Sequence, residues 1–440
     1  MEFLDKLVLP QSAEHIKLLH YILTLVLALF VPFISVVFGG TFSSIYFLKR
    51  FKKTENPFYI KFSKELIENL TVNPGVGIIL GLIPLLTAIL IFVQLLHTSL
   101  IQTVSFLILS FVFVLAALVL IYIYRYSITS VKLNDSDNNK NENSLSISNS
   151  LYLKSNYGKI GLILLFVGIW FYVAAITSAT NFSSWSFTGV ITSLAAPKVL
   201  LNFLIFIVFA FALSNAAFLF IHLYWKRREK TSDSDYTKFM KDICSKAGLR
   251  ASLPLPVLIA INVFSFSETT LSGSIFIYSV VSILLIFLSY HLFYMILNKN
   301  EYKFGSLIFF ILIFGWVALI IKDQKAMTNA TEYHSLVLST DYDKMLAELK
   351  GEGTIAVLNG KEIYDVRCAS CHKFDQKFVG PAHFDVLPKY EGKEGQLIAY
   401  IKNPVKVDPA YPPMPNPGLT PPEVDAVVKY LLEEYNKHKK

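Results

Sequence analysis

Seven stretches of this chain run for about the thickness of a bilayer on apolar side chains: Leu18–Phe38, Val76–His97, Ile101–Ile123, Ile160–Ser178, Leu200–Tyr224, Ser272–Leu297 and Phe304–Ile321. An eighth, Leu253–Phe266, is shorter and begins with Pro254 and Pro256, so it reads either as a crossing or as a re-entrant or interfacial piece. A helix needs about 20 apolar residues to span the hydrocarbon core, and within lipid it satisfies its own backbone polar groups. The expected fold class is therefore all-α: a polytopic membrane bundle of about eight transmembrane helices. Composition agrees, since 54% of the residues are hydrophobic and 16% charged, unlike an ordinary soluble domain. The net charge of +8 sits in short runs beside the apolar stretches, where lysine and arginine anchor helices to headgroups. The partner this implies is the lipid bilayer and not a nucleic acid.

Basic residues favour the cytoplasmic side of short loops. Lys49-Arg50-Phe51-Lys52-Lys53, the segment from Arg125 to Lys159, Lys226-Arg227-Arg228-Glu229-Lys230 and the segment from Lys299 to Lys303 therefore lie inside. The intervening loops His97–Leu100, Asn181–Pro197 and Ser267–Leu271 hold no lysine or arginine. This alternation places the N-terminus outside, and eight crossings bring the C-terminal part out on the same side. The first segment lacks the basic n-region and small-residue cleavage site of a signal peptide, so it is expected to stay in the mature protein. The polar, low-complexity stretch Asn134–Asn149 reads as a flexible cytoplasmic loop. The domain boundaries expected are a bundle over 1–325, a linker over 326–345 and a soluble domain over 346–440.

Cys368-Ala369-Ser370-Cys371-His372 is the C-x-x-C-H pattern of haem attachment: two thiols form thioethers with porphyrin vinyl groups, and the histidine ligates iron. A redox or zinc C-x-x-C would need further cysteines or a thioredoxin-like βαβ context. The third cysteine, Cys244, stands alone in a basic segment. A helix over 360–364 precedes the motif, and Pro421–Glu434 has helical periodicity with Val424, Val427, Val428, Leu431 and Leu432 on its apolar side. Between them, Tyr411-Pro412-Pro413-Met414-Pro415 is a proline-stiffened loop that can present a thioether to iron, though a methionine also serves as core filler. With two candidate ligands present, His383 and His438 are expected at the surface.

On these residues the C-terminal domain resembles a class I monohaem cytochrome c. The resemblance implies a small all-helical domain with one covalent haem c, attached through Cys368 and Cys371 and ligated by His372 and Met414. Gly380-Pro381 matches the Gly-Pro pair of that family, so the Pro381 carbonyl would accept the imidazole N–H. Such a domain works by electron transfer outside the cytoplasm, here on the periplasmic side of a bacterial inner membrane.

Six histidines precede the motif. His20 and His97 fall near the outer ends of the first two helices, and His222 and His291 near the inner ends of the fifth and seventh. Each pair reads either as a clamp for a haem b or as half-wet interfacial residues. No apolar stretch carries Asp, Glu, Lys or Arg in its body, which argues against a self-sufficient oxidase or pump. The stretches also offer no pocket with convergent polar groups.

The first four helices resemble the catalytic subunit of cytochrome bd oxidases. The likeness lies in Leu18-Leu19-His20-Tyr21, the basic loop after it, and Asn73-Pro74-Gly75-Val76-Gly77 opening the second helix. Departures are the absence of paired glutamates in the third helix, Asn202 about where the family has a haem-ligating histidine, and a short loop where it has a quinol-binding domain. Only His20 carries over. Three functions are compatible with this reading: an electron-transfer subunit of a respiratory membrane complex, partnered by its other subunits and by a soluble or membrane electron carrier; a haem b/haem c oxidoreductase exchanging electrons with membrane quinone; or an assembly anchor whose sole redox centre is the haem c.

Overall fold

The computed structural model describes residues 10–96, 101–130, 142–181, 189–225, 234–268, 270–299, 304–350, 360–409 and 411–439, and every regular element among them is helical. It divides into two compact units, Met1–Thr340 and Asp341–Lys440.

In the first unit, the Ser12 hydroxyl caps α1 (Ala13–Thr54) by accepting the His15 N–H. The 42 residues of α1 span about 63 Å at 1.5 Å per residue, well beyond the apolar stretch that predicts it. α2 (Pro57–Thr71) begins at an Asn56 cap with proline in its first turn, where the missing N–H costs nothing. It is amphipathic and buries Ile60, Phe62, Leu66, Ile67 and Leu70. The Ser44 hydroxyl of α1 donates to the Ser63 carbonyl at 2.8 Å and meets the Tyr124 hydroxyl at 3.0 Å. Asn73 caps α3 (Pro74–Leu95), which carries a π-helical turn at Ile78–Leu82. α4 (Ile101–Thr129) and α5 (Glu142–Ala179) pack along their lengths. Residues 142–149 of the stretch expected to be a loop are helical, the first turns of α5, and 134–141 lie outside the described residues. Once the apolar part of α5 is nucleated, extending it costs far less than starting a helix.

A short α6 (Val190–Leu194) leads to α7 (Pro197–Phe220), which ends in a π-helical turn at Ile221–Trp225. α8 (Ser234–Ser252) and α9 (Leu255–Phe264) meet at Leu253-Pro254, where proline has no N–H to continue the helical ladder. α10 (Gly273–Lys299) and α11 (Phe304–Ala330) complete the run, and α12 (Glu332–Leu349) carries the chain across the boundary at Thr340. Among the described residues eight helices are long and apolar enough to cross a membrane, as expected, and the sixth of these gains length by taking in α8 to run Asp235–Phe264. Side chains such as Ile163, Leu284 and Phe314 stand more than half exposed along these helices, a surface suited to lipid rather than water. The segment named as linker is helical: α11 continues nine residues past Ile321 to Ala330, and α12 follows after Thr331.

The second unit holds α13 (Gly360–Arg367), α14 (His383–Val386) running into a 3₁₀ turn at Leu387–Tyr390, α15 (Glu394–Lys402) and α16 (Pro421–His438). Thr420 and Glu423 form a capping box at the start of α16. Val424, Val427, Val428 and Leu431 are buried, as their spacing predicts, against Tyr364, Leu387, Leu397 and Ile401, while Leu432 packs partly buried at the edge. A Cβ at Gly360 would lie 2.1 Å from the Ala426 carbonyl oxygen, so α13 and α16 cross in near backbone contact there.

Candidate functional site

The C-x-x-C-H segment is shaped by the end of α13. The N–H groups of Cys368 and Ala369 both donate to the Tyr364 carbonyl, at 2.8 and 2.9 Å, and those of Cys371 and His372 both donate to Cys368, at 3.0 Å. This tight turn sets His372 four residues after Cys368 and leaves both thiols half-buried and outside any disulfide. Burial, reinforced by Cys371, pushes the Cys368 thiol up to about 11. The Tyr364 hydroxyl donates to the His372 carbonyl at 2.9 Å.

The His372 ring is held from behind. Its Nδ1 lies 3.2 Å from the Pro381 carbonyl oxygen, which accepts only if Nδ1 carries the proton, so Nε2 keeps its lone pair. The Gly380 N–H donates to the Cys371 carbonyl at 2.9 Å, and a Cβ at Gly380 would come within 2.3 Å of His372 Cε1. Two thiols, an imidazole of fixed tautomer and a glycine cradle fit a covalently held haem: Cys368 and Cys371 would carry the thioethers and His372 the iron. Haem supplies a one-electron couple when bound. The chain's own part is to orient the imidazole through the Pro381 carbonyl.

Met414 is half-buried in the loop before α16. Asn416 ties that loop to the end of α15 by donating to the Lys402 carbonyl at 3.1 Å, and its side-chain oxygen accepts from Gly418, which has a left-handed φ of 65°.

His383 corrects the sequence reading. It is 8% exposed, and its ring stacks on His372 at 4.9 Å and packs against Tyr364 and Phe374. Burial, followed by the neighbouring His372, lowers its pKa to about 3. The helical turn that starts at Ala382, directly after the Gly-Pro pair, turns this side chain inward. His438 is exposed, as expected, with its ring stacked on Phe384.

The membrane histidines part company. Among the described residues the buried Nδ1 of half-buried His20 finds no hydrogen-bond partner, and His97 lies outside them. His222 stacks on Phe218 and lies 3.7 Å from the Glu65 carboxylate, which also accepts the Tyr236 hydroxyl at 2.7 Å. His291 is exposed on α10. Glu65 escaped the sequence reading because it lies in α2, outside every apolar stretch; its place on an amphipathic helix was the available signal.

A second polar group corrects the expectation that the stretches gather no convergent polar residues. Because α11 runs on, Lys322 is drawn into the bundle at 3% exposure, where its ammonium bonds to the Asn262 side-chain oxygen and lies 3.0 Å from the Asp323 carboxylate. Asn262 donates to Asn202, which in turn donates to the Thr177 hydroxyl at 2.9 Å. Asn202, set against a haem-ligating histidine in the bd resemblance, thus has its amide engaged on both sides.

A family model described as cytochrome c matches residues 357–433. The chain is 33% identical over 78 residues to cytochrome c-551 of Pseudomonas denitrificans, covering 17% of this chain and 94% of that protein. It is 34% identical over 70 residues to cytochrome c-551 of Pseudomonas aeruginosa, covering 15% of this chain and 67% of that protein.

Proposed function

Since the chain belongs to the cytochrome c family through its C-terminal domain, we propose that it is a membrane-held c-type cytochrome, an electron-transfer subunit of a respiratory membrane complex. Haem-based electron transfer follows from the family, and the apolar helices supply the attachment to a bilayer. The finer reading assigns Cys368 and Cys371 to the thioethers, His372 to the proximal iron position and Met414 to the distal one. It places the domain on the outer face of a bacterial inner membrane, beside a partner that donates or accepts single electrons. Tethering keeps the haem near that partner, so a modest affinity suffices through high effective concentration.

The observation that carries this reading is the His372 Nδ1 contact with the Pro381 carbonyl at 3.2 Å, which presents Nε2 as a ligand beside the two thiols. Haem staining of the denatured chain tests attachment: signal is expected from the parent and none from a Cys368→Ser, Cys371→Ser double variant, and an equal signal from both refutes it. Met414→Leu is expected to lower the midpoint potential and remove any sulfur-to-iron absorption band. Protease added to intact spheroplasts is expected to cut the C-terminal domain; an uncut tail refutes the assignment of side.

A further inference from the structure

Two lysines meet one carboxylate at the end of the bundle where α7 begins. Lys322 is already engaged: at 3% exposure its ammonium bonds to the Asn262 side-chain oxygen and lies 3.0 Å from the Asp323 carboxylate. Lys198, in the first turn of α7, is not. The residue is half-buried, yet its Nζ is buried and has no hydrogen-bond partner among the described residues. The charges that act on it there are the Asp323 carboxylate, which Lys322 already holds, and the Lys322 ammonium itself. The group therefore carries one positive charge in excess.

What the Lys198 ammonium rests on is a ring. Its Nζ lies 4.0 Å from the centroid of buried Phe266, and the Lys322 Nζ lies 5.2 Å from the same centroid. One aromatic ring thus serves two cations. A ring quadrupole returns only part of what an ammonium loses on leaving water, and it offers no oxygen to three N–H donors. An ammonium so placed calls for an anion that brings oxygens to it. Lys198 stands one turn before Asn202, on the same face of α7, and Asn202, Lys322 and Asp323 line a cavity of about 80 Å³. A single water needs about 10–15 Å³, so the space admits a compact oxyanion. Lys198 precedes the apolar stretch of α7 and Lys322 follows that of α11, which sets both at the depth of lipid phosphates. Leu200, Leu204 and Ile261 are exposed on the neighbouring turns, a surface on which acyl chains pack.

We propose that Lys198 and Lys322 hold the phosphate group of an anionic phospholipid, its single negative charge balancing the cation that Asp323 leaves over and its acyl chains lying along Leu200, Leu204 and Ile261. The flexible lysine stem carries the Lys198 ammonium from the Phe266 ring to a phosphate oxygen without moving α7. A phosphodiester with no cation of its own fits this charge. Phosphatidylcholine, whose choline cancels its phosphate, does not. The site lies wholly within the bundle and makes no use of haem.

The test is native mass spectrometry of the full haem-loaded chain released from detergent, titrated with phosphatidylglycerol or phosphatidylcholine of matched acyl chains. The first phosphatidylglycerol is expected to bind about tenfold more tightly than the first phosphatidylcholine. Lys198→Met keeps the length of the stem and removes the charge, so it should weaken phosphatidylglycerol about tenfold, as loss of one charge-assisted hydrogen bond predicts, and leave phosphatidylcholine unchanged. Lys198→Arg is expected to retain the preference, and Lys49→Met, which removes an exposed lysine from the last turns of α1, to leave it intact. Equal affinity of the parent for both lipids overturns the proposal. So does undiminished phosphatidylglycerol binding in Lys198→Met, or an equal loss in Lys49→Met. Displacement of the lipid by millimolar inorganic phosphate assigns the site to a free anion and overturns the lipid assignment. Where Lys198→Met is poorly produced, the parent's choice between the two lipids decides alone.

Discussion

Gly380→Ala is the substitution whose consequence the haem site specifies most closely. The added Cβ would stand 2.3 Å from His372 Cε1 and 2.7 Å from Nδ1, where ordinary contact begins near 3.4 Å. Either the ring or the segment 380–381 must therefore move by about 1 Å. The Nδ1 contact with the Pro381 carbonyl, already 3.2 Å, lengthens past hydrogen-bonding range. Overpacking costs about 1–3 kcal/mol and the lost hydrogen bond about 1 kcal/mol. A total of about 2–4 kcal/mol corresponds, for a domain of this size, to a melting temperature lower by roughly 10–20 °C. The imidazole also loses the partner that fixes its orientation, so the midpoint potential is expected to shift. The assay is thermal unfolding of the haem-loaded chain followed at the Soret band, together with a redox titration. Gly395→Ala is the control, since a Cβ there meets nothing within 4 Å and lies in α15; it should be neutral or slightly stabilising. Unchanged melting and potential in Gly380→Ala would refute the claim that this glycine holds the His372 imidazole in place.

Tyr364→Phe leaves the His372 carbonyl without the hydroxyl that donates at 2.9 Å, and should cost about 1–2 kcal/mol in denaturant unfolding of the cytochrome unit. Glu423→Ala opens the capping box of α16 and should cost about 1 kcal/mol at pH 7. Hydrogen bonds from the Thr420 backbone and hydroxyl hold the Glu423 carboxyl below its usual range. Its contribution is therefore present above the unfolded-state value of about 4.3 and lost as pH falls through the lowered folded value, so parent and variant should converge in acid. Tyr236→Phe deprives the buried side of Glu65 of its 2.7 Å hydrogen bond, and should lower the melting temperature of the detergent-solubilised chain by an amount equivalent to about 1–3 kcal/mol.

What could be read directly was what is written locally along the chain. Seven of the apolar runs carry enough length to force a membrane-spanning helix by themselves, and the attachment motif places two thiols and an imidazole within one turn of backbone, so neither needs distant residues to be recognised. Pro381 was legible through resemblance, because the Gly-Pro pair follows the motif at short range. Leu253–Phe266 was legible as an apolar piece but not as part of a longer span, since the polar α8 that extends it has no apolar run to announce it.

The residues that sequence left unassigned are those whose surroundings arrive from far along the chain. Glu65 becomes a half-buried hydrogen-bond partner only when Tyr236, 171 positions away, is packed against it. Lys322 reads as a flanking anchor until α11 carries it to Asn262, 60 positions earlier. His383 looks like one more polar loop residue until the turn after Pro381 presses it onto His372. Composition and periodicity report how much apolar surface a helix has, whereas the cost of a buried charge or hydroxyl depends on which groups face it, and only the packing of helices decides that.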